Sequence, residues 1–192
     1  ADPLGRPVFQ QVDACVSSWR ELPLVGCAVR CYRTGAHTRC ASRMTALSST
    51  AKAAFMRAAL AESQKALPAC RPNPPVGCVI VRGDQILARG YTGVPGAPHA
   101  EAAAMLALSA EGSAADMSVF VTLEPCAFYG RTPSCAQALV ERGVGAVFVG
   151  IIDPDPRNRG EGLRLLREAG IVVELGILED TVRAFLAPYL ED

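Results

Sequence analysis

Two short stretches, His99-Ala100-Glu101 and Pro125-Cys126-x8-Cys135, bring one imidazole, two thiols and one carboxylate into a single sequence. Zn²⁺ takes nitrogen and sulfur donors in a tetrahedron, and a site built for catalysis leaves one corner for water. His99, Cys126 and Cys135 are therefore candidate ligands of a Zn²⁺ cofactor. Glu101 suits proton transfer better than ligation. His99 and Glu101 are two residues apart, so in the first turn of a helix they do not share a face. The histidine can hold metal while the carboxylate leans towards the open corner.

Zinc lowers the pKa of a bound water to about 7, so a nucleophile is available at neutral pH. Glu101 would take the water proton, pass it to a ring nitrogen, and deliver a second proton as ammonia leaves an amidine-like carbon. Taken singly, His99 reads as a capping or core histidine, and Cys126 and Cys135 as small core residues. Their combination with Glu101 and Pro125 favours a catalytic metal site. With only three ligands in register, a closed structural site is disfavoured. The pattern His-x-Glu with Pro-Cys is that of zinc deaminases, except that their second half reads Pro-Cys-x-x-Cys.

The elements that must position these groups follow from pattern. The first clear periodicity starts near Ser49, where Ala53, Met56, Leu60 and Leu67 fall on one helical stripe capped by Ser49 or Thr50 and ended by Pro68. Arg71 to Pro75 reads as extended. Residues 76–81 and 85–91 read as a hairpin turning at Gly83-Asp84. A helix is expected over 99–110, a strand over 117–123, a helix over 133–142 and a strand over 146–152. A helix over 160–169, a strand over 171–175 and a helix over 179–190 complete the pattern. Strands alternating with helices imply an α/β sheet covered on both faces, parallel after the hairpin. Cys126 falls just beyond the carboxyl end of a strand, where such sheets bind ligands.

Composition narrows the classes. The chain has 192 residues, half of them hydrophobic, and zero formal net charge. Residues 1–43 carry six Arg, no Lys and three acids, whereas 44–192 carry 13 basic and 16 acidic side chains. A mildly acidic body argues against nucleic acid as a partner. No apolar run approaches a membrane span and no secretory h-region is present, so a cytoplasmic location is expected. The eight cysteines then read as thiols or metal ligands. Residues 1–43 lack periodicity and read as an irregular or non-native extension, with Met44 as a fresh start before residues 44–192, the zinc-dependent domain. Cys27, Cys31, His37 and Cys40 have zinc-knuckle residue types but fit no common spacing, and read as incidental.

Residues from about 52 to 178 resemble the deaminase half of the riboflavin-pathway bifunctional deaminase–reductases, within the cytidine-deaminase-like zinc deaminases. The stretches that carry the resemblance are Asn73-Pro74-Pro75-Val76-Gly77-Cys78-Val79-Ile80-Val81, Pro98-His99-Ala100-Glu101, Val121-Thr122-Leu123-Glu124-Pro125-Cys126, Gly130-Arg131-Thr132-Pro133-x-Cys135 and Asp153-Pro154-x-Pro156. The Cys-x8-Cys spacing separates this group from the nucleoside deaminases. The resemblance implies a three-layer α/β/α sandwich on a five-stranded mixed sheet, His99, Cys126 and Cys135 as ligands, and Glu101 as acid and base. It also implies Asn73 on the pyrimidine, Arg131 at the phosphate end of the substrate and Asp153 at its ribose. A homodimer is expected. In this family a histidine and an asparagine stand where this chain has Phe128 and Asp155. An aromatic offers no donor to a phosphate and a carboxylate repels it, so a less phosphorylated substrate is expected.

Four functions compete. The first is a deaminase of a small aminopyrimidine of the riboflavin-pathway type. The second is a sister deaminase of another nucleobase, nucleoside or nucleotide. The third is a nucleic-acid editor, disfavoured by charge. The fourth is a non-catalytic zinc subunit, disfavoured because such a subunit has no need of Glu101.

Overall fold

A computed structural model describes residues 47–109, 112–128 and 134–190. The expectations for residues 1–43 and for Arg131 lie outside the described residues. Helix α1 spans Ser49–Lys65. Its cap is Ser48, whose Oγ accepts the Ala51 N–H at 3.1 Å, one residue earlier than expected. From Ala66 the chain turns instead of extending, and the Asn73 N–H donates to the Cys70 carbonyl at 2.9 Å.

Strands β1 (Gly77–Arg82) and β2 (Gln85–Tyr91) form the antiparallel hairpin. Gly83 supplies the left-handed turn, at φ 60°. Helix α2 (Ala100–Leu106) is shorter than its Ala-rich sequence suggests. Strand β3 (Ser118–Leu123), helix α3 (Cys135–Arg142), strand β4 (Ala146–Ile151) and helix α4 (Glu161–Glu168) follow. Strand β5 (Val172–Leu175) and helix α5 (Glu179–Leu186) close the described chain, with a short 3-10 turn over Ala187–Tyr189.

The sheet order is β2-β1-β3-β4-β5. Pairing is parallel for β3–β4 and β4–β5 but antiparallel for β1–β3. The expectation of parallel pairing after the hairpin therefore fails at one junction. The crossover through α2 carries the chain past β1, so β3 docks on the first strand and leaves β2 at the edge. Only β1 runs against the other four.

Alternation along the strands divides the core into two layers. Cys78, Ile80, Val119, Val121, Val147 and Val149 face α2, α3 and α4. Val79, Val81, Phe120, Phe148 and Ile151 face α1 and α5. Phe120 and Phe148 stack with centroids 4.5 Å apart. This is the expected α/β/α sandwich with a five-stranded mixed sheet. No described helix is long and apolar enough to cross a membrane.

Candidate zinc-binding active site

The site assembles where the carboxyl ends of β3 and β4 meet the amino ends of α2, α3 and α4. His99 is the N-cap residue of α2, in extended backbone, and Glu101 lies in the first turn. Cys126 follows β3 by three residues and Cys135 opens α3. The donor atoms of His99, Cys126 and Cys135 lie within 4.8 Å of one another. His99 Nδ1 stands 3.7 Å from Cys126 Sγ and 3.5 Å from Cys135 Sγ. A tetrahedral zinc with Zn–S of about 2.3 Å and Zn–N of about 2.0 Å requires N···S separations of about 3.6 Å. The donor set and its spacing thus fit Zn²⁺.

Local chemistry holds the ligands in register. Ser134 Oγ accepts the Gln137 N–H at 3.2 Å, capping α3, and donates to the Cys126 carbonyl at 2.7 Å. The Cys135 N–H donates to Cys126 Sγ at 3.3 Å. One serine and one amide therefore lock the two thiols together.

Without metal, the four groups shift one another's titration. Hydrogen bonding from Cys135, then from His99, pulls the Cys126 thiol down to about 4, despite its burial. The hydrogen bond to Cys126 first, and burial second, push the Cys135 thiol well up. The bond to Cys126 raises His99, with Glu101 adding to the effect against its burial. Glu101 is buried at 4 % exposure. Burial first, and the Cys126 charge second, push its carboxyl up to about 7.

Three residues to which the sequence reading gave no role hold the frame. Buried Glu124 accepts four backbone N–H groups: Asp153 (3.2 Å) and Gly160 (2.9 Å) on Oε2, Gly162 (2.9 Å) and Leu163 (3.3 Å) on Oε1. One carboxylate thus ties the end of β3 to the end of β4 and caps α4. Gly162 lets α4 approach, because a Cβ there would lie 2.0 Å from the Pro125 carbonyl oxygen. Buried Asn158 accepts the Ala127 N–H through Oδ1 (2.9 Å) and donates through Nδ2 to Asp153 Oδ2 (3.1 Å). The Gly160-x-Gly162 pair at a helix start, and a Glu directly before Pro-Cys, were the signals available in the sequence.

The substrate candidates divide. Asp153 lies beyond β4, half-buried, with its carboxyl raised by burial and, in smaller part, by the nearby Asp155 and Cys126 charges. Asn73 is half-buried before β1, and its side chain makes no hydrogen bond among the described residues. Cys78, in β1, is buried, and its thiol is pushed up by burial and by Glu101. Phe128 is half-buried and covered by Arg157, whose guanidinium carbon sits 4.4 Å from the ring centroid. Asp155 is ion-paired to Arg157 at 2.5 Å, which holds its carboxyl down at about 2. The bare carboxylate inferred from sequence is thus a neutralised one.

Comparison with known proteins agrees with this geometry. Residues 49–151 match the cytidine and deoxycytidylate deaminase zinc-binding region. The chain is 43% identical over 136 residues to the riboflavin biosynthesis protein RibD of Chlamydia pneumoniae, covering 71% of this chain and 36% of that protein. The structure of Acinetobacter baumannii RibD superposes with a TM-score of 0.70 at 39% identity, over 75% of this chain and 40% of that one. A diaminohydroxyphosphoribosylaminopyrimidine deaminase/5-amino-6-(5-phosphoribosylamino)uracil reductase from Thermotoga maritima superposes with a TM-score of 0.68 at 35% identity, over 73% and 40%. The chain therefore spans well under half the length of these relatives. With its ligand triad, its buried acid and its mixed sheet, it belongs to the cytidine and deoxycytidylate deaminase family and is a zinc deaminase domain of the RibD type.

Proposed function

We propose that this domain hydrolytically deaminates an aminopyrimidine of the riboflavin-pathway type, with Glu101 as its acid and base. The carrying observation is Glu101 itself: a carboxyl buried beside the triad, in the first turn after a ligand. A general acid–base group has to sit within reach of the proton it moves, and this position puts Glu101 beside the metal's open corner. Zinc held by His99, Cys126 and Cys135 would supply a water acidic enough to attack at neutral pH. Glu101 takes the proton of the attacking water and places it on the ring nitrogen next to the amino-bearing carbon, then takes the remaining proton of the new hydroxyl and delivers it to the amino group as the C–N bond breaks and ammonia leaves. The free amide of Asn73 supports a role in orienting the pyrimidine, and Asp153 a role at the ribose. Arg131 remains a proposed contact at the phosphate end.

The test is ammonia release by the zinc-loaded protein from the phosphoribosyl-aminopyrimidine, cytosine, guanine, cytidine and their nucleotides. Selective turnover of the first supports the reading. Turnover of another heterocycle alone would replace it with the sister-deaminase reading.

The domain is proposed to occupy residues 44–192, so deleting 1–43 should leave melting temperature and zinc content unchanged. The four cysteines among the described residues are unbridged, which supports a reducing, cytoplasmic setting. Exposed Tyr91, Val94 and Leu106 support a homodimer, for which sedimentation is the test.

A further inference from the structure

We propose that Arg157, which this chain sets over Phe128 and Asp155 in the loop after β4, decides whether a phosphate is accepted at the sugar end of the substrate. The proposal rests on the aminopyrimidine reading and adds the groups that would meet the phosphate. Phe128 and Asp155, which depart from the family pattern separately in sequence, meet in space under one guanidinium. Asp155 takes Nε at 3.0 Å and Nη2 at 2.5 Å, and accepts the Arg157 backbone N–H at 2.9 Å. The Phe128 ring supports the flat face of the same group, 4.4 Å from centroid to guanidinium carbon.

Two sides of the guanidinium are thereby fixed, and Nη1 is left without a hydrogen bond among the described residues. The side chain is 67% exposed, so Nη1 is open to a ligand. The loop is tied to the ligand-bearing segment: Phe128 follows Cys126 by two residues, and Asn158, the residue after Arg157, holds the Ala127 amide.

An open groove of about 620 Å³ runs along this loop, lined among others by Arg157, Arg159 and Arg164. Arg164 is shared between Glu161 and Glu168. Arg159 has no ion pair among the described residues, so its charge is uncompensated. The Asp155 carboxylate alone would repel a phosphate. Paired with Arg157 it becomes an orienting device, presenting one planar donor outward beside a free cation. Guanidinium geometry suits phosphate oxygens in a way that a flexible ammonium does not.

Calorimetric titration of the zinc-loaded protein with ribose 5-phosphate and with ribose tests this directly. The wild type should bind the phosphorylated sugar at least about tenfold more tightly, and Arg157→Gln should lose roughly tenfold of that preference, in line with a charge-assisted hydrogen bond. Arg159→Gln should weaken it as well. Adding Asp155→Asn to Arg157→Gln should restore part of the loss by removing the exposed carboxylate. Equal binding of ribose 5-phosphate by Arg157→Gln and wild type would overturn the proposal, as would a wild type without preference for phosphate. Ammonia release is a separate readout. Its absence with the phosphate preference intact would remove the aminopyrimidine reading and leave the anion seat standing.

Discussion

The side-chain carbonyl of Asn158 accepts the Ala127 amide at 2.9 Å while its NH₂ group donates to Asp153 at 3.1 Å. One buried amide therefore links the residue after a zinc ligand to a proposed ribose contact. Asn158→Ala should lower unfolding free energy by about 1–3 kcal/mol, the cost of leaving part-buried partners unmet. Asn158→Asp keeps the acceptor for Ala127 but sets two carboxylates face to face, and should be worst above pH 5. Urea midpoints measure both. A wild-type midpoint for Asn158→Ala would show that the bridge carries no stability.

Glu101→Gln should keep zinc and fold but lose deamination by at least about 10²-fold, the lower end of general acid–base contributions. Metal analysis and ammonia release on one preparation separate the two effects. Activity within a few-fold of wild type would take Glu101 out of the mechanism.

Cys135→Ala removes a thiol that lies 3.5 Å from His99 Nδ1. Zinc content should fall from about one per chain to a small fraction, since catalytic sites of this kind have only three protein ligands. Full occupancy in the variant would refute the ligand set.

In the metal-free protein the Glu101 carboxyl titrates at about 7 when folded, against an ordinary 4.5. Between these values the folded chain holds a proton that the unfolded chain has lost. Its contribution to stability is complete below about pH 4.5 and falls, by on the order of 3 kcal/mol, as pH rises through about 7. Cys126, held down to about 4, runs oppositely, its contribution being lost as pH falls through that value. Glu101→Gln removes the first trend, together with the smaller push that Glu101 gives His99, and leaves the Cys126 trend in place. Metal-free Glu101→Gln should therefore gain on metal-free wild type as pH climbs from about 4.5 to about 7. Parallel pH profiles would contradict a raised Glu101.

The layered fold was legible because its strands alternate or run apolar and its helices keep their stripe. The triad and Glu101 were legible because metal chemistry limits residue types and spacing. Pairing of β3 with β1 was not, because nothing in a strand's composition says which edge it will join. Glu124 and Asn158 were hidden for a related reason. All four Glu124 partners and one of the two Asn158 partners are backbone amides, up to 39 residues away, and an amide leaves no mark in sequence. Phe128 and Asp155 were read as losses because Arg157, which makes them a unit, carries no spacing signal of its own.

The two-layered core has a last consequence. His99 and Cys135 stand at the heads of α2 and α3, both on one face of the sheet, while α1 and α5 pack the other face and carry none of the three ligands. Zinc bound to the native state adds about 1.4 kcal/mol for each tenfold rise in free metal above its dissociation constant, but it clamps one layer only. Chelation should accordingly speed hydrogen exchange at amides of α2, α3 and the end of β3 well before those of α1. The sandwich would then loosen one face at a time, and exchange rates that rise equally on both faces would show that it opens as a single unit.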